Sequence, residues 1–192
     1  MEHKPWKTLN STIVFEQQPW LRILAEDVQL PDGRIVKDYL RLITPDFVAI
    51  VPINPNGEIG LIRCYKNGPQ RVDIQPPSGY IEEGEEPREA AIRELLEETG
   101  CVAENWHSLG SYVLAGNRGG GLGHILLATG CEQVAEPNPD DLEEQEVLWL
   151  QKREVNEKLK KGAFAQISTV AALSLALAHL EAEDATSQDM EP

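Results

Sequence analysis

The sequence predicts an α/β fold, a mixed sheet with helices packed on its faces, preceded by an antiparallel β-region. Three observations carry this prediction. The first fifty residues are rich in Val, Ile and Leu and are punctuated by turn signals; the apolar period becomes helical between Pro87 and Thr99; strand-like and then helix-like segments follow.

The elements follow in order. Thr12–Phe15, Leu21–Leu30 and Ile35–Ile43 read as strands of an antiparallel meander, with Pro31-Asp32-Gly33 as a turn. Phe47–Ile53 and Ile59–Tyr65 flank Asn54-Pro55-Asn56-Gly57, which is a strand, a tight turn and a returning strand. From Pro87 to Thr99, Ala91, Ile92, Leu95 and Leu96 mark one helix face, Pro87 suits the first turn and Gly100 the end. Trp106–Leu114, His124–Ala128 and Glu146–Leu150 are further strands; Lys152–Lys161 and Thr169–Glu181 are helical, with Gly162 between them. Glu181–Pro192 has five acidic residues and no basic one, and is expected to be a solvated tail.

Composition bounds the function. The chain has 192 residues and a formal net charge of −15, so one folded domain with a small appendage is expected, and binding to nucleic acid through its phosphates is disfavoured. An anionic substrate would need a cation as mediator. The start, Met-Glu-His-Lys-Pro-Trp, lacks a secretory pattern, and the apolar run Ala163–Leu180 is interrupted by Gln166, Ser168, Thr169, Ser174 and His179, which argues against a membrane span. Cys64, Cys101 and Cys131 form no CxxC pair. A cytoplasmic protein is expected.

The chemistry is concentrated in Gly79–Cys101. On a helix Glu94 and Glu98 stand one turn apart with Glu97 beside them, so three carboxylates share a face expected to lie opposite Ala91, Ile92, Leu95 and Leu96. Like charges at i,i+4 cost a helix roughly 0.2–0.5 kcal/mol per pair, whereas oxygen donors of this kind suit Mg²⁺ and Mn²⁺. The alternative is a solvated acidic helix laced by Glu89–Arg93 and Arg93–Glu97 pairs. The spacing decides against it: Gly79, five residues, Glu85, seven residues, Arg93-Glu94, an aliphatic, any residue, Glu97-Glu98, any residue, Gly100. This pattern resembles the Nudix box of the Nudix hydrolases. The last box position, usually aliphatic, is Cys101, which packs as a small hydrophobe.

The resemblance implies a Nudix-type α/β/α sandwich and hydrolysis of a nucleoside diphosphate linked to another group. It implies that Glu94, Glu97 and Glu98 hold divalent ions (Mg²⁺ or Mn²⁺) with the Ser78 carbonyl, that Glu85 supports them, and that Arg93 orients the carboxylates. Outside the box, Pro5-Trp6-Lys7-Thr8 through Arg41 and Phe47-Val48-Ala49-Ile50-Val51 are similar to the ADP-ribose and nucleoside-diphosphate-sugar pyrophosphatases. That similarity implies an N-terminal region, 1–45, for dimerisation and base binding, a hydrolase domain, 46–182, and a tail, 183–192; it also implies a homodimer.

Trp20 matches the base-stacking position of that subfamily, Tyr39 is a second candidate, and the competing role for Trp20 is a core anchor. Arg41, Lys66 and Arg118 are candidate contacts to phosphate or ribose, with Arg63 and Arg71 nearby. Three departures bear on substrate: Gln75-Pro76-Pro77-Ser78-Gly79 replaces Glu-Leu-Pro-Ala-Gly, Lys66 replaces an arginine, and Ala115 replaces a proline before the loop Gly116-Asn117-Arg118-Gly119-Gly120-Gly121. The acidic loop Asp140–Glu146 is matched to the position of the general base, Glu143 first and Glu144 second. Rival substrates are NADH, other dinucleotides and nucleoside triphosphates; a non-catalytic nucleotide sensor is the rival of another class.

Overall fold

The computed structural model describes residues 4–138 and 144–188. They divide into two units, Met1–Asp46 with Tyr112–Leu122, and Phe47–Ser111 with Gly123–Pro192.

In the first unit β1 (Lys7–Gln17), β2 (Leu21–Gln29) and β3 (Ile35–Ile43) form the expected antiparallel meander, in register from Lys7↔Gln29 to Gln17↔Leu21 and from Arg22↔Ile43 to Gln29↔Ile35. The turn before β3 closes through Gly33 N–H to Leu30 O at 2.9 Å, and Asp32 accepts from Arg34 N at 3.0 Å. Every residue of β1 is exposed. In the glycine-rich segment Gly116, Asn117 and Arg118 form a turn between strands, while the next strand begins at Gly119 rather than at His124, with Gly119 paired in parallel with Leu42. Glycine permits the close approach there, because a Cβ on Gly121 would strike the carbonyl of Pro45.

In the second unit β4 (Phe47–Ile53) is the central strand, parallel to β10 (Gly119–Thr129) from Gly123↔Phe47 to Thr129↔Ile53, and antiparallel to β5 (Glu58–Lys66) and β7 (Ser78–Tyr80). β5 pairs with β6 (Arg71–Gln75) on one side and β12 (Glu146–Gln151) on the other. Parallel pairing of β10 beside antiparallel neighbours makes the sheet mixed, as predicted. The Asn54–Gly57 turn is closed by Gly57 N–H to Asn54 O at 2.9 Å, while Asn54 Oδ1 accepts from Asn56 and Glu58 amides.

Side-chain alternation along β4 and β10 creates two cores. Val48, Ile50, Leu126 and Ala128 face α1 (Pro87–Thr99) through Ala90, Ala91 and Leu95. Ala49, Val51, Ile125 and Leu127 face the opposite way, onto Val155 of α2 (Lys152–Lys160) and Ala172, Leu173, Ala176 and Leu180 of α3 (Ile167–Gln188). The result is three layers, helix on sheet on helix. Among the remaining strands, β8 (Cys101–Val102) and β11 (Glu132–Gln133) form a separate pair, and β9 (Asn105–Ala115) runs beside β10.

α3 continues to Gln188, past its expected end at Glu181 and into the segment read as tail. Cys64, Cys101 and Cys131 are buried thiols, and burial pushes Cys131 up to about 12. Among the described residues no helix is long and apolar enough to cross a membrane.

Candidate active site

The box is a loop, a helix and a loop set against the end of β4. α1 begins at Glu86, whose side chain takes the amide of Glu89 while the Glu89 carboxylate takes the amide of Glu86, and Pro87 fills the first turn. It ends at Gly100 in the left-handed region, φ 69°, where a Cβ would also collide with the Ala135 carbonyl. Both ends are therefore fixed by the residues expected to fix them.

The buried face of α1 differs from expectation. Ala90, Ala91, Leu95, Glu98 and Thr99 are buried, whereas Ile92 and Leu96 are 45% and 40% exposed. Ala91, Leu95 and Glu98 follow the i, i+4, i+7 course of one stripe, so Glu98 lies on the sheet-facing side and not opposite it. This placement brings the Glu98 carboxylate against β7, where Oε2 accepts the Ser78 amide at 2.7 Å. The pairing of Ser78, Gly79 and Tyr80 with Ala49, Val48 and Phe47 holds that amide in place.

Arg93 organises the other carboxylates. Its Nε and Nη2 donate to Glu85 Oε1 and Oε2, both at 3.0 Å, the two-point geometry that a guanidinium offers. Nη1 reaches Glu94 at 2.6 Å and Glu97 at 3.4 Å, and Nη2 also donates to the Tyr80 carbonyl at 3.1 Å. One cation thus spans three carboxylates and a strand carbonyl. Gly79 completes the arrangement, since a Cβ there would fall inside the Glu94 carboxylate. Glu94, Glu97 and Glu98 with neighbouring carbonyls are an all-oxygen donor set in excess of the local positive charge, and this chemistry fits a hard divalent cation.

Paired hydrogen bonds from Arg93 hold the Glu85 carboxyl below its ordinary range, against the opposing effect of burial and with help from the Glu82 amide. A depressed carboxylate stabilises the fold above its unfolded value, about 4.5, and that contribution is lost as pH falls through the lower folded value. Glu85→Gln should therefore lower stability at neutral pH and flatten the loss of stability on acidification. Urea midpoints across the acid range test this; parallel curves for variant and wild type would remove Glu85 from the network.

The other candidates fall as follows. In the first unit Trp20 is 56% exposed in the turn between β1 and β2, which is not the setting of a core anchor. Tyr39 donates to the Asn117 carbonyl at 2.7 Å and lies beneath the Arg118 guanidinium at 4.6 Å, while Arg118 donates to Leu40 O at 3.1 Å. Arg41 stands 3.5 Å from buried Glu26. In the second unit Lys66 ends β5 opposite Arg71, Arg63 is paired with Glu146 at 2.6 Å, and Arg71 holds Asp73 and the Ala163 carbonyl. Glu144 is exposed just before β12, and Glu143 lies outside the described residues.

The sequence reading missed a second group of donors. One ligand atom each from His107, His179 and Glu183 lie within 4.8 Å of one another. The available signal was the i,i+4 spacing of His179 and Glu183 on a helix.

Fold and site together define a hydrolase that acts on phosphoanhydride bonds. A NUDIX domain model matches residues 44–173, and a model described as the nucleoside diphosphate sugar hydrolase N-terminal domain matches residues 6–39. The chain belongs to the Nudix family. An ADP-ribose pyrophosphatase of Bacillus subtilis (strain 168) is 28% identical over 138 residues, which is 72% of this chain and 73% of that protein. A methanol dehydrogenase activator of Bacillus methanolicus is 28% identical over 154 residues, 80% of this chain and 81% of that one. A crystal structure of an ADP compounds hydrolase matches with a TM-score of 0.82 at 24% identity, over 95% of this chain and 98% of that chain, and bears on the fold alone.

Proposed function

We propose that this enzyme cleaves the pyrophosphate bond of ADP-ribose or a related nucleoside diphosphate sugar, with Mg²⁺ or Mn²⁺ held by Glu94, Glu97, Glu98 and the Ser78 carbonyl. The observation that carries the reading is the convergence of Glu98 on the Ser78 amide at the strand end beside the Arg93-ordered carboxylates. A bound divalent ion would neutralise diphosphate charge and raise the acidity of the attacking water. The match of residues 6–39 to a nucleoside diphosphate sugar hydrolase N-terminal domain supports a base-binding role for that region.

In the reaction, water oxygen bonds to one phosphorus, the bridging anhydride bond breaks, and a nucleoside monophosphate and a sugar phosphate leave. The proton passes to a carboxylate outside the box, Glu143 first and Glu144 second, because the box carboxylates serve as ligands. Arg93 keeps Glu94 and Glu97 fixed while charge moves. In the first unit Trp20 is assigned to stacking on the base, with Tyr39, Arg41 and Arg118 as further substrate contacts; in the second unit Lys66 is assigned to phosphate. Assay of ADP-ribose, nucleotide sugars, NADH and nucleoside triphosphates with Mg²⁺ tests the substrate; turnover confined to triphosphates or dinucleotides would overturn it.

Two variants probe these roles. Glu143→Gln should lower kcat strongly with KM little changed, and a normal Glu143→Gln beside a dead Glu144→Gln would move the base by one residue. Trp20→Ala should raise KM by the equivalent of roughly 1–3 kcal/mol, the range for base–aromatic stacking; an unchanged KM would sink the stacking role.

The proposed assembly is a cytoplasmic homodimer. Leu9, Ile13, Phe15, Ile35 and Leu40 of the first unit are between 44% and 54% exposed, and a second copy of the chain would cover them. Light scattering should give twice the mass of the chain; a monomer at micromolar concentration would refute this.

A further inference from the structure

We propose that His107, His179 and Glu183 bind one transition ion of the Zn²⁺ type, at a site separate from the box carboxylates. Two elements, β9 and α3, bring these residues together. His179 and Glu183 stand one turn apart on α3, where the helix directs both side chains to one face. His107 lies on β9 two residues before Leu109, and so on the same face of that strand. Leu109 packs against the core cluster that contains Ala176 and Leu180, the α3 residues that flank His179.

His179 and Glu183 already stand at the spacing of two ligands of one ion, and the third donor atom lies within 4.8 Å of both. His179 Nε2 and Glu183 Oε1 are 3.4 Å apart, and bonds of about 2.1 Å to a tetrahedral ion place two ligand atoms about 3.4 Å apart. The His107 and His179 ring centroids are 5.3 Å apart with planes inclined at 47°, so the rings do not stack flat against each other. His179 Nε2 is sealed from solvent yet makes no hydrogen bond, and Glu183 Oε1 is 3.4 Å away. A buried nitrogen without a hydrogen-bond partner is costly as it stands, and ligation would satisfy it.

The donor set selects the ion. Two imidazoles and one carboxylate suit Zn²⁺, Co²⁺ or Ni²⁺, whereas Mg²⁺ prefers oxygen and retains water. Three protein ligands leave a coordination position open, as in sites that keep exchangeable water. Glu183 is about half exposed, which gives an entry path. Because the donors come from β9 and α3, the ion would tie the C-terminal helix to the sheet, and binding to the folded state alone raises the melting temperature.

The test is calorimetric titration of the full chain with Zn²⁺ at saturating Mg²⁺, alongside Co²⁺ absorption in the visible range. One Zn²⁺ per chain is expected, with a higher Tm and the bands of nitrogen-ligated, low-coordinate Co²⁺. His107→Ala and His179→Ala should each weaken Zn²⁺ binding by at least about 100-fold, beyond the usual cost of losing a supporting partner. Glu183→Gln should weaken it too, and Glu98→Gln should leave it unchanged. Circular dichroism checks that each variant folds, and His107→Gln substitutes for any that does not. No Zn²⁺ uptake in the presence of Mg²⁺, uptake indifferent to the histidine variants, or uptake lost in Glu98→Gln would each overturn the site.

Discussion

Glu98→Gln should lower kcat on the order of 10³-fold, about 4 kcal/mol of barrier, while the protein stays folded. Glu98 is only 4% exposed and accepts the Ser78 amide at 2.7 Å, so its surroundings fix which way a replacement amide can point. Turning the glutamine NH₂ toward Ser78 would set donor against donor. The favoured rotamer keeps Oε1 on that amide and presents NH₂ where a cation requires oxygen. The substitution thus preserves volume and the hydrogen bond to β7 and removes one charge and one donor oxygen. Without added Mg²⁺ the variant should melt no lower than wild type, since it relieves the like-charge pair with Glu94 one turn away; with Mg²⁺ it should gain less in Tm than wild type does. Steady-state kinetics and thermal melts read both effects. Activity within a few fold of wild type would remove Glu98 from the ion site.

How far such a site can be read from sequence depends on whether its pattern is local. The box was legible because its spacing is contained in one loop and one helix, and the α/β/α layers were legible because β4 alternates Val48 and Ile50 toward one core and Ala49 and Val51 toward the other. The buried face of α1 was not. Ile92 and Leu96 are apolar and exposed, while Glu98 is charged and buried, because β7 supplies an amide to it from twenty residues away in sequence. β6 escaped notice for a similar reason. Its polar residues Asp73 and Gln75 point inward, where Asp73 accepts the Ala165 amide at 2.8 Å and Gln75 the Gln166 side chain at 2.6 Å, while Val72 faces out, so the usual alternation is inverted and the strand is short. His107 reaches His179 and Glu183 only through packing of α3 on the sheet.

Gly79→Ala should abolish most activity with little loss of stability, a combination that follows from what occupies the space beside Gly79. The first glycine of the box is not in a left-handed conformation, so alanine can adopt its backbone angles in β7. The added Cβ would fall inside the carboxylate of Glu94, which is the far end of a flexible side chain and can swing away. Yielding is cheap for the fold and expensive for the site. Glu94 would leave its 2.6 Å contact with Arg93, and a ligand oxygen would move by more than the roughly 0.5 Å that a preorganised centre tolerates. The expected kcat loss equals that of Glu94→Gln, on the order of 10²–10³-fold or about 3–4 kcal/mol, with a change in unfolding free energy within about 1 kcal/mol. Gly100→Ala provides the contrast: its φ of 69° and the Ala135 carbonyl leave no cheap movement, so its cost should fall on stability. The decisive measurement is the double variant. If Gly79 acts only by making room for Glu94, Gly79→Ala combined with Glu94→Gln should be no slower than Glu94→Gln alone, a full failure of additivity; additive losses would show that Gly79 serves the reaction by another route.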